Sequence, residues 1–272
     1  MLLSTPHAHT RYVDGRDTPL EMAEAAIAKG FHSLGLSEHG GQTLDAIYGL
    51  SPEGERAYIA EVSALKAQLA GRLKLWLGIE RDQYGEVDRA SYDYVIGSKH
   101  YIVDGADFFA VDSARETVLA GCERHFGGDW YALAERYFGE IADFVTDYRP
   151  DIIGHFNLLV KHNGDGRLFD EDSPRFLDAG FCALERMAAT NALLEVNTGA
   201  IPRGYRDVIY PSLKLLRRWR ELGGRAIVSS DCHDARYLDA AYDRAYALLR
   251  AAGYKTAWAL GAGDQLFEEY PI

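Results

Sequence analysis

The chain has few cysteines, a deficit of positive charge and no long apolar run, and each absence excludes a class of protein. Its three cysteines are far apart in 272 residues, so they form no disulfide framework, which is typical of a protein from a reducing compartment. A formal net charge of −12 disfavours nucleic acids and anionic membranes as partners. No run of 18 apolar residues is present, and the first ten residues lack the features of a signal peptide. We therefore expect a cytoplasmic protein that binds neither nucleic acid nor membrane.

Apolar stretches of strand length alternate with helical patterns along the whole chain. The predicted strands are 2–6, 33–37, 73–79, 93–97, 151–155, 192–196 and 225–230. The first predicted helix is capped by Thr18 and Glu21 and ends at Gly30. The further predicted helices are 53–70, 114–125, 129–147, 173–189, 211–222 and 237–251. This alternation predicts a parallel α/β sheet, for which a closed barrel is the economical arrangement at this length.

An open doubly wound sheet is the rival architecture. It receives no support from the sequence, because no G-x-G-x-x-G motif follows the first predicted strand. No linker, low-complexity tract or internal repeat divides the chain. We therefore expect residues 1–272 to form one domain.

Polar side chains mark the carboxyl ends of all seven predicted strands. In strand order they are His7 and His9, Glu38 and His39, Glu80, His100, His155, Asn197, and Asp231 with His233. Any one of these histidines is unremarkable as a core or surface residue. Because the carboxyl ends of barrel strands meet at one rim, however, the set together predicts a metal site there.

The ligand types restrict the metal and the chemistry. Imidazoles with carboxylates suit zinc, manganese or iron, and their number exceeds what one tetrahedral ion needs, which indicates two or three divalent ions. Clustered ions suit phosphate ester hydrolysis, since they polarise phosphoryl oxygens and lower the pKa of water. We expect Cys232 to face away from Asp231 and pack as a small apolar residue. The remaining histidines, His32, His125 and His162, are interpreted as structural or surface residues.

Seven short motifs resemble those of the PHP (polymerase and histidinol phosphatase) superfamily. They are H-x-H-T at 7–10, Asp14-Gly15, S-E-H at 37–39, G-I-E at 78–80, G-S-x-H-Y at 97–101, G-H-F at 154–156 and S-D-x-H at 230–233. The resemblance implies a distorted (β/α)7 TIM-like barrel with a trinuclear metal centre. Within the superfamily, "IGSKHYI", "IIGHFNLL" and "LEVNTGA" are similar to the histidinol-phosphatase branch.

The resemblance also implies the ligands and how they group. One ion would be held by His7, His9, Glu80 and Asp231, a second by Asp14, His39 and His233, and a third by Glu80, His100 and His155, with Glu80 bridging. Two positions depart from the family pattern. Thr5 stands where many members have Asp, and Asp14 stands where many histidinol phosphatases have His.

The implied activity is metal-dependent hydrolysis of a small phosphate monoester. L-histidinol phosphate, in histidine biosynthesis, is the first candidate substrate, with Glu80, Asp231 and His233 as catalytic residues. Arg203 and Lys161 lie in loops after the sixth and fifth strands, where either could bind phosphate. Two alternatives are another small phosphate ester and a metal-binding module without catalysis. The sequence does not indicate an oligomeric state.

Overall fold

The computed structural model describes residues 2–272, and it is an α/β fold built on a curled, mostly parallel β-sheet. Nine strands lie in the order β1-β2-β3-β4-β7-β8-β9-β10-β11, and β5 pairs with β6 in a separate hairpin. Their bounds are β1 Ser4–Thr5, β2 Ser33–His39, β3 Lys74–Asp82, β4 Tyr94–Ser98, β5 Tyr101–Asp104, β6 Asp107–Ala110, β7 Ile152–Ile153, β8 Leu193–Asn197, β9 Arg225–Ser229, β10 Thr256–Leu260 and β11 Phe267–Pro271. All neighbours from β1 to β10 pair in parallel, and β11 is antiparallel to β10.

The seven predicted strands are all present, although two of them are reduced to two residues each. β1 ends at Thr5 because Pro6 follows and has no amide hydrogen for a ladder. β7 ends at Ile153, and two residues later the His155 amide donates to Glu195 Oε2 at 2.6 Å instead of to a neighbouring strand. Both strands therefore change to irregular backbone close to their polar carboxyl ends.

Four strands were not predicted from the sequence. The β5–β6 hairpin turns at Gly105, which has a φ of +63°, and Asp104 pairs with Asp107 across the turn. The Asp104-Gly105 pair between apolar stretches is a hairpin signal that could have revealed it. β10 and β11 form a second antiparallel pair, from Thr256–Pro271 to Leu260–Phe267.

Seven α-helices connect the strands, close to the predicted positions. They are α1 Pro19–Ala28, α2 Pro52–Gln68, α3 Arg115–Phe126, α4 Trp130–Tyr148, α5 Pro174–Met187, α6 Leu213–Glu221 and α7 Tyr242–Ala252. The aromatic side of α4 packs in the largest apolar cluster, where Tyr137 and Phe138 are fully buried. The repeated aromatics of this helix therefore face a core. None of the helices in residues 2–272 is long and apolar enough to span a membrane.

The start of α1 offers a test of local stability. Thr18 Oγ1 accepts from the Glu21 amide at 3.1 Å, and Glu21 Oε2 accepts from the Thr18 amide at 2.8 Å. We expect Thr18→Ala to lower the free energy of unfolding by about 0.5–2 kcal/mol, because the Glu21 amide at the helix start loses its partner. Urea denaturation measures the change, with Thr117→Ala on the exposed side of α3 as the control that should not destabilise. Equal stability of the two variants would contradict the prediction.

The curl of the sheet brings its two distant parallel strands together at one end. Ala8, just after β1, forms a parallel bridge with Cys232, just after β9, and the His9 amide donates to the Cys232 carbonyl at 2.8 Å. On its other side the Ala8 carbonyl accepts from the Ser37 amide of β2 at 2.9 Å. The carboxyl ends of β1, β2 and β9 are therefore direct neighbours.

Candidate metal centre

The segment after β1 places two imidazoles side by side. Ala8 is fixed on both sides by backbone hydrogen bonds, so the residues flanking it project to the same face. His7 and His9 are fully buried, and their ring centroids lie 5.0 Å apart. His7 and His9 thus lie in irregular backbone after β1 rather than within a strand.

Glu80, on β3, lies at the centre of the polar cluster. Its Oε2 is 2.8 Å from His39 Nδ1, and its Oε1 is 2.9 Å from His155 Nε2. Five imidazoles have a ring nitrogen within 3.7 Å of this carboxylate: His7, His9, His39, His100 and His155. They come from the carboxyl ends of four strands or the segments that follow them, because His7 and His9 both follow β1.

Three sets of side chains in residues 2–272 have ligand atoms within 4.8 Å of one another and could hold a metal ion. They are His7, His9 and Glu80; His9, Asp14, His39 and His233; and His39, Glu80 and His100. The sets resemble the three groups expected from the sequence, but His9 and His39 each belong to two of them. Asp231 adjoins the first set, with Oδ1 3.4 Å from His9 Nε2.

Asp14 lies within this cluster although it replaces the family's histidine. Its Oδ2 is 3.2 Å from His233 Nε2 and 3.7 Å from His39 Nε2. Its Oδ1 is 3.9 Å from His9 Nδ1. The carboxylate therefore reaches three imidazoles of the cluster, from a loop held by the Gly15 amide's hydrogen bond to the Thr10 carbonyl at 2.9 Å.

The unpaired atoms of the cluster fit divalent cations. His7 Nε2, both ring nitrogens of His9 and Glu80 Oε2 are buried and make no hydrogen bond to other residues between 2 and 272. Buried polar atoms without partners are costly, and here they are the nitrogen and oxygen donors that zinc, manganese and iron prefer. The residues present therefore fit a metal centre of more than one ion.

Charge interactions keep the carboxylates of the cluster ionised. Burial opposes ionisation of Glu80, but the neighbouring His7 and His39 hold its pKa well below the ordinary value. Burial likewise opposes ionisation of Asp231, yet Arg203 and His7 lower its pKa well below its usual range. For His9, burial together with His233 and His39 lowers the pKa to about 3. Burial opposes protonation of His7 and His39, but the nearby carboxylates raise the pKa of both imidazoles, so a metal ion that binds to these rings would displace protons.

A cavity of about 450 Å³ opens above the cluster and contains both predicted phosphate-binding residues. Arg203 donates from Nη2 to Asp231 Oδ2 at 2.8 Å, and its Nη1 lies 3.2 Å from His233 Nδ1. Lys161 Nζ donates to the Asp112 carbonyl at 2.6 Å and lies 4.1 Å from the centre of the Tyr205 ring. Burial lowers the pKa of Lys161. Two cationic side chains and the candidate metal ligands thus face one cavity.

The profile of the PHP domain matches residues 6–199 of this chain, and so includes most of the cluster. The chain belongs to the PHP domain family. Two curated relatives align over nearly the whole length. A Deinococcus radiodurans protein named "Probable histidinol-phosphatase" is 30% identical, over 93% of this chain and 95% of its own. The histidinol-phosphatase of Bacillus subtilis is 24% identical, over 87% and 96%.

A solved structure shares the fold of this PHP domain. The histidinol phosphate phosphatase of Lactococcus lactis, solved in complex with zinc, L-histidinol and phosphate, superposes with a TM-score of 0.72 at 19% identity. The match covers 96% of this chain and 98% of the other. At this identity, the likeness supports the architecture of the sheet and helices.

Two carboxylates that sequence reasoning did not single out support the histidines of this PHP domain. Glu195 on β8 accepts from His7 at Nδ1 over 2.6 Å, and Asp82 on β3 lies 3.1 Å from His100 Nδ1. Glu195 stands two residues before Asn197, and Asp82 two residues after Glu80, so each faces the same side of its strand as a residue already singled out. That period of two is the signal that could have found them.

The residues expected to lie outside the site have ordinary structural contacts. His32 Nε2 lies 3.0 Å from the Leu260 carbonyl, and His162 Nε2 lies 2.7 Å from the Ser113 carbonyl. The ring of His125 stacks on Phe109. Cys232 is buried in an apolar cluster, as expected, and its thiol donates to the Asp234 carbonyl at 2.8 Å.

Proposed function

We propose that this PHP domain is a metal-dependent phosphomonoesterase that hydrolyses L-histidinol phosphate to L-histidinol and phosphate in histidine biosynthesis. The observation that carries the proposal is the cavity in which Glu80 and other candidate ligands face Arg203 and Lys161, with the unpaired nitrogens of His7 and His9 buried beside Glu80. Full-length similarity to the two bacterial relatives named for this activity supports the choice of substrate. The proposal includes a single domain folded as a distorted (β/α)7 barrel, closed where Ala8 meets Cys232.

The proposed ligands are His7, His9, Asp14, His39, Glu80, His100, His155, Asp231 and His233, holding two or three ions. When bound, such ions polarise phosphoryl oxygens, lower the pKa of water and stabilise the leaving oxygen. Glu80 would contribute most to holding the ions, because its two oxygens face imidazoles on both sides. Asp231 and His233 stand next to Arg203, so these three side chains would contact the phosphoryl group and its leaving oxygen.

The guanidinium of Arg203 is fixed in an orientation that suits binding of an anion. Its Nε donates to the Gly199 carbonyl at 2.9 Å, which fixes the guanidinium while Nη1 and Nη2 remain at the cavity. A planar fork of this kind matches two phosphate oxygens. Lys161 supplies a second positive charge from the opposite loop, following β7.

The test is phosphate release from L-histidinol phosphate with added Mn²⁺ or Zn²⁺, beside a panel of nucleotide and sugar phosphates. We expect preference for L-histidinol phosphate, lost in an Asp231→Asn, His233→Ala double variant. Turnover of another ester alone would retain the phosphatase and reject the substrate. Bound metal with no turnover of any ester would favour a module without catalysis.

Arg203→Lys tests the phosphate contact. We expect kcat/KM for L-histidinol phosphate to fall about tenfold, mainly through a higher KM, because lysine retains the charge but loses the second hydrogen bond. Steady-state kinetics measures this, and Arg217→Lys on the exposed side of α6 is the matched control. Unchanged KM in Arg203→Lys would reject a phosphate-binding role.

A further inference from the structure

Lys161 differs from the other lysines of the chain. Five of the seven lysines form an ion pair with a carboxylate, and Lys255 is exposed. Lys161 is half-buried in the cavity, and within residues 2–272 its Nζ bonds to the Asp112 carbonyl alone, at 2.6 Å, with the centre of the Tyr205 ring 4.1 Å away. An ammonium has three N–H donors, so two of them remain for a ligand of the cavity.

The backbone around Lys161 is fixed relative to the metal cluster. The Leu158 amide donates to the carbonyl of the candidate ligand His155 at 2.9 Å, and the Lys161 amide donates to the Leu158 carbonyl at 2.9 Å. From the loop after β8, Arg206 Nη1 donates to the Val160 carbonyl at 2.6 Å. Lys161 therefore extends from a short turn that is anchored both at the cluster and at the neighbouring loop.

Lys161 and Arg203 are near enough to contact one phosphate ester. The centre of the Tyr205 ring lies 4.1 Å from Lys161 Nζ and 5.7 Å from Arg203 Cζ. Arg203 bonds to Asp231 after β9, whereas Lys161 bonds to the segment after β6, so the two cations lie on different sides of the cavity. If the planar fork of Arg203 binds two non-bridging oxygens, the ammonium of Lys161 remains for the bridging ester oxygen.

We propose that Lys161 is the general acid that protonates the leaving oxygen of the ester. The inference rests on the proposed phosphatase function and adds a residue that completes its reaction. The bond between phosphorus and the ester oxygen breaks, its electron pair stays on that oxygen, and a proton moves from Nζ to the oxygen to form the alcohol. Phosphorus gains a hydroxyl from water, and the proton that this water loses restores the ammonium of Lys161 through the solvent.

The other polar groups of the cavity are less able to give this proton. The histidines that line the cavity are all candidate ligands, and a ring nitrogen that binds a metal carries no proton. Neighbouring cationic groups hold the pKa of Glu80 and of Asp231 well below the ordinary value, so both carboxyl groups are ionised. Burial raises the pKa of Tyr101 and of Tyr210, which makes both phenols weaker acids. An arginine keeps its proton in proteins.

The surroundings of Lys161 favour release of its proton. Burial lowers the pKa of Lys161, the carboxylates of Asp112 and Asp231 oppose this effect, and the guanidinium of Arg203 adds to it. These charged groups face the lysine from the segments that follow β6, β8 and β9. The ammonium is therefore a stronger acid than that of a fully exposed lysine, and it already lies at the cavity.

The experiment compares two leaving groups that differ by one atom, in L-histidinol phosphate and its analogue with sulfur in place of the bridging oxygen. Lys161→Arg retains the positive charge but withholds the proton, so kcat for the oxygen ester is expected to fall at least about 10²-fold. The fall for the sulfur ester should be less than about threefold, because a thiolate leaves without a proton. KM for both esters should change less than about twofold, since arginine still attracts phosphate.

Two further variants show whether the effect belongs to the proton. Lys161→Met removes the charge as well, and it should show the same selective loss on the oxygen ester together with a higher KM for both esters. Lys255→Arg is the matched control and should change neither ester's kinetics. Metal content and melting temperature of each variant should equal those of the unmodified chain.

The outcomes separate the general acid from the proposed function. Equal loss on both esters, or no loss in Lys161→Arg, would overturn the general acid and leave the phosphatase intact. If the unmodified protein hydrolyses another ester only, the oxygen and sulfur forms of that ester supply the comparison. A loss confined to its oxygen form would then support the general acid while the histidinol assignment fails. Bound metal with no turnover of any ester would overturn both.

Discussion

Glu80→Gln is expected to reduce kcat/KM for L-histidinol phosphate by at least about 10²–10³-fold, the loss typical when one preorganised charged group is removed. Glu80 is 1% exposed, and its two oxygens lie against imidazoles from four other strand ends. Glutamine has the same shape but no charge, and its NH2 group would face ring nitrogens with a donor where the cluster needs an acceptor. A single substitution therefore affects two of the three ligand sets.

Metal analysis separates this effect from a general loss of structure. The purified variant should retain fewer ions per chain than the unmodified protein, measured by plasma mass spectrometry after identical dialysis. Glu116→Gln, exposed on α3, is the control and should change neither metal content nor activity. Full metal content with full activity in Glu80→Gln would contradict the central role of this carboxylate.

Much of the architecture follows from the sequence because apolar stretches of strand length are each followed by polar residues. Apolar stretches predicted seven of the eight parallel strands, and polar residues placed at their carboxyl ends predicted which side chains would meet. His155 illustrates why this works. It follows β7 by two residues, and it reaches Glu80 at 2.9 Å because β7 and β3 both lie beside β4. Parallel neighbours converge at one end whatever their separation along the chain.

The features that were missed depend on pairing that the apolar pattern does not encode. The β5–β6 hairpin is short and local, and its residues were interpreted as part of a loop, although this hairpin carries Tyr101 and positions Asp112. Asp14 was grouped with His39 and His233 only through the family resemblance, since its contact with His233 depends on the turn that Gly15 permits. A Cβ on Gly15 would lie 2.5 Å from the His9 carbonyl oxygen. Only the folded loop shows that the carboxylate reaches the cluster.

Glu195 supports the candidate ligands through hydrogen bonds without belonging to the ligand sets. Its Oε1 accepts from His7 Nδ1 and from the Ser229 hydroxyl, each at 2.6 Å. Its Oε2 accepts from the His155 amide at 2.6 Å and from Asn197 Nδ2 at 3.0 Å. All four partners donate, so they require a carboxylate in this place. Burial opposes its ionisation, but His7 lowers the pKa of Glu195 below the ordinary value.

Glu195→Gln is therefore expected to weaken metal binding about 10–100-fold, the range typical when the partner of a metal-ligating histidine is lost. Whichever way the amide turns, its NH2 group faces two donors, either His7 and Ser229 or His155 and Asn197. The His7 ring then loses the hydrogen bond that fixes its orientation and leaves Nε2 toward Glu80, at 3.3 Å from Oε2. Because Glu195 acts through His7, excess Mn²⁺ should restore most of kcat, which a residue that contacts the substrate would not permit.

Isothermal titration calorimetry of the metal-free protein with Mn²⁺ measures the affinity directly. The same titration of Glu116→Gln provides the reference. The metal-free variant should also unfold at a lower urea concentration, because the buried donors around residue 195 lose an acceptor. Loss of stability with unchanged metal affinity would make Glu195 a structural residue only. Loss of affinity that excess metal repairs would establish that a strand-interior carboxylate, beyond the reach of the substrate, sets how firmly the cluster holds its ions.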